Sequence, residues 1–446
     1  MDFRTLGETI IRKAKTYGAD EAEAYFENVR QFGVEIRNGA IETLQKSESS
    51  GLGFRVFVNR QLGFSSTSDL TPASLEETVK KTVELARITN SRPWNGLPDS
   101  ESGTPKGLDL YDPEIAAVPD EAKIKTASDL ENKALALDKR ITNSSGSSFA
   151  DREKTVAIFN SRGMGYSYRE TSFSCGVSVI AGEKNAMQSG GWSSSRRFFR
   201  ELAPLDEIAA TAVKKAVQKL GPLPVKTASV PVIFDRYAAG SFWRGLAFGM
   251  DGDSAHRRTT FLWDSLNKQI ASPLITIADD PTIPRFIGSV PFDGEGNLTR
   301  KNMLFDKGVL KMFFYDSIAA RKTGVKVNTL AQRYGYESSP YASPLCMIVQ
   351  NGRDPFDSLI RDVKQGLYVT GLRGLGTDAT TGSFSVGGNG FWIENGAAAY
   401  PVDGVTLGGT TLEILKNIDK LADDLDMRGP INSPSFRVSS MTVGGR

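Results

Sequence analysis

Residues 21–67, EAEAYFENVRQFGVEIRNGAIETLQKSESSGLGFRVFVNRQLGFSST, alternate polar and apolar side chains over most of their length. Alternation with a period of two is typical of a β-strand that has one buried face. Three glycine-containing pairs, Asn38-Gly39, Ser50-Gly51 and Leu62-Gly63, interrupt the alternation and are candidate turns. The stretch therefore predicts an antiparallel meander of three or four strands.

Helices are predicted on both sides of this meander. Apolar residues recur at helical spacing before Gly18, and Thr71-Pro72 is a typical helix start. A similar series follows, because helical patterns near residues 121–139 and 205–220 flank further strands. We therefore predict two helix–antiparallel-sheet–helix units, at residues 1–90 and 120–220, separated by a Pro-, Gly- and Ser-rich linker at residues 91–119.

A larger β-rich domain is predicted for residues 225–446. Gly221-Pro222-Leu223-Pro224 ends the preceding helix and marks the boundary. From Gly371 onward the sequence indicates strands separated by glycines. Because strands seldom alternate one for one with helices, the chain as a whole is predicted to be an α+β protein rather than a doubly wound parallel sheet.

The composition is that of an ordinary globular protein. Among 446 residues, 54 Lys and Arg stand against 52 Asp and Glu, so the net charge of +2 indicates neither a nucleic-acid surface nor a polybasic membrane face. No apolar run approaches the ~20 residues that cross a bilayer, and the first residues do not resemble a signal peptide. Cys175 and Cys346 are too few for a disulfide framework, and we therefore predict a cytoplasmic location.

Several stretches of the chain are specific enough to suggest a family. The most specific is GTDATTGSFSVG at residues 376–387, followed by Ile393-Glu394-Asn395-Gly396 and by PVDGVT at residues 401–406. Further such stretches are residues 18–23, 49–53, 292–296, 307–310 and 316–322. These motifs resemble those of the TldD/PmbA family. The similarity extends over nearly the whole chain, and it implies a TldD/PmbA-like fold.

Residues 243–253, WRGLAFGMDGD, distinguish the two branches of that family. In the metal-bearing TldD branch, H-E-x-x-x-H precedes a Gly-Leu-Glu-Gly-Asp-like run, whereas here Trp243, Arg244 and Phe248 occupy the positions of the two His and the Glu. Indole and phenyl rings have no lone pair to give to zinc, and a guanidinium repels the ion. The chain therefore resembles the PmbA, or TldE, branch, and we expect no metal, no cofactor and no catalytic residue in it.

The resemblance to this branch implies a subunit that does not catalyse alone. Such a subunit would form a heterodimer with a TldD-like metallopeptidase subunit that contributes the zinc, and the pair would be a cytoplasmic peptidase that degrades or matures unfolded peptides. The name "modulator of DNA gyrase" is also used for the family and describes an indirect effect. The balanced charge of this chain gives no direct support to an action on gyrase. Two alternatives stay open: an independent enzyme that uses His256 or a cysteine, and a homodimer that binds peptides or modulates gyrase without catalysis.

A peptide or the partner subunit is predicted to contact part of the C-terminal domain. A peptide is held extended when it adds to an exposed strand edge, and we expect residues 380–400 to supply such an edge or to shape a shared cavity. The alternative is that these strands belong to the ordinary core. The predicted contact residues are Thr381, Gly382, Ser383, Phe384, Ser385, Glu394, Asn395 and Gly396.

Overall fold

The computed structural model describes residues 2–99, 103–328 and 330–445. Met1, residues 100–102, Thr329 and Arg446 lie outside the described residues, and with them part of the predicted linker and single positions of the predicted terminal domains. None of the helices in the described ranges is both long enough and apolar enough to span a membrane.

The predicted meander forms the first part of a β-sheet. The elements of this segment are α1 Phe3–Thr16, β1 Glu21–Arg37, β2 Ala40–Val58, β3 Gln61–Thr67 and α2 Pro72–Ile88. The chain turns at Asn38-Gly39, where both φ angles are positive as a tight hairpin turn requires, and again at Asn59-Arg60. The turns predicted at Ser50-Gly51 and Leu62-Gly63 are wrong, because β2 and β3 run through these pairs.

The next segment repeats this order of elements and extends the same sheet. Its elements are a 3-10 helix Pro113–Ala116, α3 Asp120–Ala136, β4 Ile141–Asn160, β5 Gly165–Ala181, a 3-10 helix Lys184–Ala186, β6 Gln188–Arg196, a 3-10 helix Phe199–Glu201 and α4 Leu205–Val217. Strand β4 pairs antiparallel with β1, from Glu23 opposite Asn160 to Ile36 opposite Ser147. The two predicted units therefore share one sheet, whose described strands have the order β3-β2-β1-β4-β5-β6.

The helices of both units pack on one face of this sheet. Alternate residues of β1 point toward them: Phe26 lies in the cluster under α1 and α2, and Phe32 lies in the cluster under α3 and α4. The opposite face carries Tyr25 and Ile158, which contact Phe292 of the C-terminal domain. The sheet is thus buried by helices on one side and partly by the C-terminal domain on the other.

Short strands and helices make up the C-terminal domain. They are β7 Ala228–Phe234, α5 Arg236–Phe248, α6 Gly252–His256, β8 Ile277–Asp279, β9 Asn302–Asp306, β10 Val309–Leu310, α7 Ser317–Thr323, β11 Ala331–Gln332, β12 Tyr341–Ala342, β13 Met347–Val349, α8 Phe356–Arg361, β14 Gln365–Leu372, β15 Ser383–Glu394, β16 Ala397–Thr410, α9 Thr411–Lys416, β17 Ile418–Leu421, β18 Ile431–Asn432 and β19 Phe436–Gly444. Together with the N-terminal sheet and its helices, they confirm the predicted α+β fold.

Five of these strands form a closed ring around part of the domain core. The order is β16-β15-β14-β7-β19, and β19 pairs back with β16, where Leu407 lies opposite Val443. Phe234 and Phe436 stack inside the core with ring centroids 4.8 Å apart. Phe242 of α5 contacts Phe384 of β15 at 5.7 Å, so α5 is fixed against this ring of strands.

A buried network of charges joins the N-terminal sheet to the C-terminal domain. Arg55 of β2 donates to Glu23 at 2.8 Å and to Glu295 at 3.1 Å, and Arg333 forms an ion pair with Glu23. All four side chains are at most 2% exposed. Ion pairs removed from water in this way are costly unless their charges are compensated, and each of the four groups contacts at least one group of opposite charge.

The described part of the predicted linker also contacts both halves of the chain. The backbone N–H of Leu97 donates to Glu21 of β1 at 2.8 Å, and that of Arg285 donates to the carbonyl of Leu108 at 2.8 Å. Leu97 and Leu108 are both buried. This segment therefore packs along the boundary between the sheet and the C-terminal domain.

Candidate functional site

Helix α5 carries the three positions that correspond to the zinc motif. Asp235 caps its first turn by accepting from the N–H groups of Tyr237 at 3.0 Å and Ala238 at 2.6 Å. Burial raises the pKa of this carboxyl to about 6. Gly245 lies against the residue 375–377 segment, since a Cβ there would be 2.8 Å from the carbonyl oxygen of Leu375. The helix is therefore held from its start to its middle.

The three side chains point into different surroundings. Trp243 is fully buried, packs against Phe436 at 5.7 Å between ring centroids, and donates from Nε1 to Ser433 Oγ at 2.9 Å. Arg244 is exposed, and Phe248, the last helical residue, is 61% exposed. The structure therefore does not bring Trp243, Arg244 and Phe248 together around one centre.

The residues at these positions do not fit a zinc ion. The single nitrogen of the Trp243 side chain is a donor that is already bonded to Ser433, and neither Arg244 nor Phe248 offers a lone pair. Within residues 2–99, 103–328 and 330–445, no group of three or more His, Cys, Asp and Glu side chains is arranged to hold a metal.

The acidic residues that follow α5 have structural partners. Asp251 caps α6 by accepting from the N–H of Ser254 at 2.7 Å. Asp253 forms ion pairs with Lys322 and with Arg257, the latter at 3.1 Å. These carboxylates stabilise the turn and its contact with α7.

The eight residues predicted to face a peptide or partner form two separate groups. Thr381, Ser383 and Ser385 are exposed near the start of β15, where Gly382 and Phe384 are buried. Glu394 and Asn395 are exposed in the turn between β15 and β16, and Gly396 is half-buried. Eleven steps of about 3.3 Å place the two ends of β15 roughly 36 Å apart. A small ligand cannot contact both groups at once, whereas contact of a partner subunit with both stays a prediction.

Both edges of strand β15 are already hydrogen-bonded to neighbouring backbone. Its residues 388–394 pair with β14 on one side, and β16 pairs along the other side. At residues 383–387 the first side is taken by the preceding loop, where Ser385 N donates to Gly376 O at 3.0 Å and Arg373 N donates to Gly387 O at 2.8 Å. The expected strand addition is therefore not available on β15, while an edge at residues 397–400 of β16 and a shared cavity both stay predictions.

The candidate nucleophiles and the candidate base are poorly placed for catalysis. Burial raises the pKa of the Cys175 thiol to about 11 and that of Cys346 still further. A buried thiol of this kind is not a thiolate at neutral pH. His256 is exposed at the end of α6. The geometry gives no support to an enzyme based on these residues.

A cavity that the sequence did not indicate lies between the N-terminal sheet and the C-terminal domain. Its volume is about 710 Å³, and its walls include Trp192 of β6, Lys215 of α4, Tyr237 of α5 and Tyr368 of β14. Because these residues come from four elements separated in sequence, no local motif could have revealed the cavity.

Comparisons with known proteins agree with this fold over its whole length. Models of the PmbA/TldA metallopeptidase domains match here: domain 1 at residues 22–86, the central domain at residues 113–220 and the C-terminal domain at residues 227–445. The chain is 32% identical to Metalloprotease PmbA of Escherichia coli O157:H7 over 432 residues, which cover 96% of this chain and 93% of that protein.

Two solved structures are also similar to this chain. The first, from Bacteroides thetaiotaomicron, is named as a modulator of DNA gyrase; it has a TM-score of 0.91, 26% sequence identity and full coverage of both chains. The second is TldE from Thermococcus kodakarensis, with a TM-score of 0.89, 20% identity and coverage of 98% of this chain and 99% of that one. At that identity, the likeness to TldE concerns the fold alone.

Proposed function

The chain belongs to the TldD/PmbA family, and from this membership we propose that it is a metal-free, TldE-like subunit of a two-subunit peptidase. A TldD-like partner would supply the zinc ion, the general base and the attacking water. The observation that carries the proposal is the chemistry of the α5 side chains, because an indole, a guanidinium and a phenyl group lie at the positions of the zinc motif.

Two further points support a division of labour between subunits. A relative that is 32% identical is named a metalloprotease, yet the residues of α5 in this chain do not fit the metal. The indole N–H of Trp243 also donates to Ser433 inside the core, so this position could not offer a zinc ligand without repacking of the core. Hydrolysis is therefore assigned to the other polypeptide. We propose unfolded or short peptides as the substrates and the cytoplasm as the location.

A second candidate function is a homodimeric protein that binds peptides or modulates DNA gyrase without catalysis. The name of the Bacteroides thetaiotaomicron relative favours it. The two functions differ in one measurable respect, because a binding protein keeps its affinity for peptides or gyrase when no metal-bearing partner is present. A subunit of a peptidase gains activity only with the partner.

The test is to purify this chain alone and together with a candidate partner that carries H-E-x-x-x-H. Cleavage of an unstructured peptide and bound zinc are measured in both samples, with and without a chelator. We expect cleavage and one equivalent of zinc only in the mixture. Changing the partner's motif Glu to Gln should abolish cleavage. Changing a motif His to Ala should abolish zinc binding, and with it cleavage. Cleavage by the lone chain in the presence of the chelator would falsify the proposal.

A variant of this chain sharpens the same experiment. Arg244→Ala removes the guanidinium from the exposed side of α5, and Trp243 stays in place. Because the proposed hydrolytic groups belong to the partner, the zinc content of the mixture should not change with Arg244→Ala. A fall in bound zinc would assign a ligand role to this chain and contradict the proposal.

A further inference from the structure

The cavity between the two halves of the chain has the size and the walls of a small-molecule site. Its volume of about 710 Å³ falls within the usual range for such sites, roughly 300–1,000 Å³. The N-terminal half contributes α4 and β6, and the C-terminal domain contributes the start of α5 with β14 and β15. The aromatic side chains of the wall are Trp192, Tyr237, Phe356, Tyr368 and Phe391.

Positive charge predominates in the lining of this cavity. The cationic residues are Lys214, Lys215, Lys219 and Arg236, against the acidic residues Asp235 and Asp424. Both acids already have partners: Asp235 caps α5, and Asp424 accepts from the N–H and the hydroxyl of Ser435 at 2.7 and 2.8 Å. Four cationic side chains thus line the cavity with these two carboxylates, and two of the four, Lys219 and Arg236, also donate to backbone carbonyls, at 2.9 and 3.1 Å.

Lys215 is the half-buried cation that lies against the aromatic wall of the cavity. Its Nζ lies 4.3 Å from the ring centroid of Trp192 and 4.5 Å from that of Tyr237, so two aromatic faces hold it in place. Arg428 stacks on the same indole at 4.0 Å, which brings a second cation close. Among the residues that the structure describes, no carboxylate pairs with Lys215 and no acceptor bonds to its Nζ. A preorganised ammonium group is thus left free to bind an anion.

The surroundings of Lys215 are unfavourable to its positive charge. Burial lowers the pKa of the Lys215 ammonium; Asp235 opposes this effect, and the charges of Lys219, Arg428 and Arg236 add to it. An anion bound at the ammonium would relieve the repulsion among these groups. The indole N–H is a second group in need of a partner, since Nε1 of Trp192 is buried and no acceptor for it exists in the described ranges.

We propose that this cavity binds a small organic carboxylate with an aromatic or otherwise apolar body. The carboxylate lies beside Lys215 Nζ, and the body packs against the rings of Phe356, Tyr368 and Phe391. A free carboxylic acid and the C-terminal residue of a short peptide both present this chemistry. The site goes beyond the peptidase function, because it requires this chain alone and stands or falls independently of any partner.

Calorimetric titration of the full chain tests the proposal with four probes. They are N-acetylphenylalanine, a tripeptide that ends in Phe, the C-terminal amide of the same tripeptide, and inorganic phosphate. We expect one or both carboxylates to bind, and the amide to bind at least about tenfold more weakly, the loss expected for one charge-assisted hydrogen bond. Binding of the blocked amino acid identifies a free acid as sufficient, whereas binding of the tripeptide alone identifies a peptide end.

Variants locate the binding in the cavity. Lys215→Met keeps the unbranched side chain between the rings and removes the charge, and it should weaken carboxylate binding about tenfold or more. Trp192→Phe removes the indole N–H, keeps an aromatic ring and should weaken binding as well. The matched control is Lys80→Met, an exposed position on α2, which packs at the other end of the N-terminal sheet.

Several results would overturn the proposal. They are absence of binding by both carboxylates, equal affinity for the amide, equal affinity for phosphate, and unchanged affinity in Lys215→Met. Thermal unfolding of each variant is measured in parallel. If Lys215→Met or Trp192→Phe has an altered unfolding temperature, the comparison uses the other of these two variants.

Discussion

Substitution of Arg55 by Met should destabilise the protein strongly, because it breaks the buried network that joins the N-terminal sheet to the C-terminal domain. The guanidinium donates three hydrogen bonds to two buried carboxylates. Glu23 would keep its ion pair with Arg333, whereas Glu295 would keep the neutral backbone N–H of Ser317, at 2.7 Å, and no ion pair within the described part of the chain. The variant therefore leaves a carboxylate buried without a cation in contact.

The expected loss in the free energy of unfolding follows from the cost of burying a carboxylate without a cation in contact. Removal of one partner from a buried ion pair typically costs about 3–5 kcal/mol. This is a large share of the roughly 5–15 kcal/mol that stabilises a typical protein. The loss would be measured as a shift in the urea midpoint, followed by circular dichroism at constant pH. The double variant Arg55→Met/Glu295→Gln removes the uncompensated charge and should recover part of the loss.

Arg30→Met is the matched control for this experiment. Arg30 lies on the neighbouring strand β1 and pairs with Glu48 at 3.1 Å, but its side chain is 62% exposed. An exposed pair of this kind is screened by water and contributes little, so this variant should unfold close to the unmodified protein. The reasoning is refuted if Arg55→Met is no less stable than Arg30→Met, or if neutralising Glu295 deepens the loss.

Three further predictions concern single positions. Gly53→Ala should lower the free energy of unfolding by about 1–3 kcal/mol in chemical denaturation, because the new Cβ would overlap the carbonyl oxygen of Tyr336. Gly33→Ala in the same sheet, where the Cβ has open space, should be nearly neutral. Equal effects of the two substitutions would contradict this. Burial raises the pKa of Asp279 to about 7, so the folded state holds a proton that the unfolded state releases. The free energy of unfolding should therefore fall as pH rises from about 4 to about 7. Asp279→Asn should reduce this fall, as measured by urea titrations at pH 5 and pH 7. Iodoacetamide at pH 7.5 should modify Cys175 and Cys346 only after unfolding, as followed by mass spectrometry, and rapid labelling of the folded chain would indicate an accessible thiol.

Local patterns in the sequence predicted the elements better than their arrangement. The meander and its Asn38-Gly39 turn follow from the period-two alternation and from the positive φ angles that this pair tolerates. The turn predicted at Ser50-Gly51 is wrong, because a local pattern cannot show that the missing Cβ of Gly51 makes room for Tyr336. The pairing of β1 with β4 joins residues that are well over a hundred positions apart in sequence, such as Glu23 and Asn160, and alternation does not encode such a pairing.

The candidate site shows the same limit. The residues that replace the zinc motif are evident from the sequence, but their surroundings are not. Positions five residues apart on a helix differ by about 140° in direction, so Trp243 can enter the core while Phe248 points to solvent. The cation at Lys215 could not be connected with Trp192 and Tyr237, because only the packing of separate elements brings the three together.

The single sheet built by residues 21–67 and 141–196 has a practical consequence for dissecting this protein. A fragment that stops near residue 90 would retain a complete helix–meander–helix pattern, yet β1 would present an open row of backbone donors and acceptors from Glu23 to Ile36. Exposed rows of this kind recruit other chains. Expression fragments should therefore retain residues 21–196 as one piece, since a cut between the two repeats would turn an internal seam into an aggregation surface.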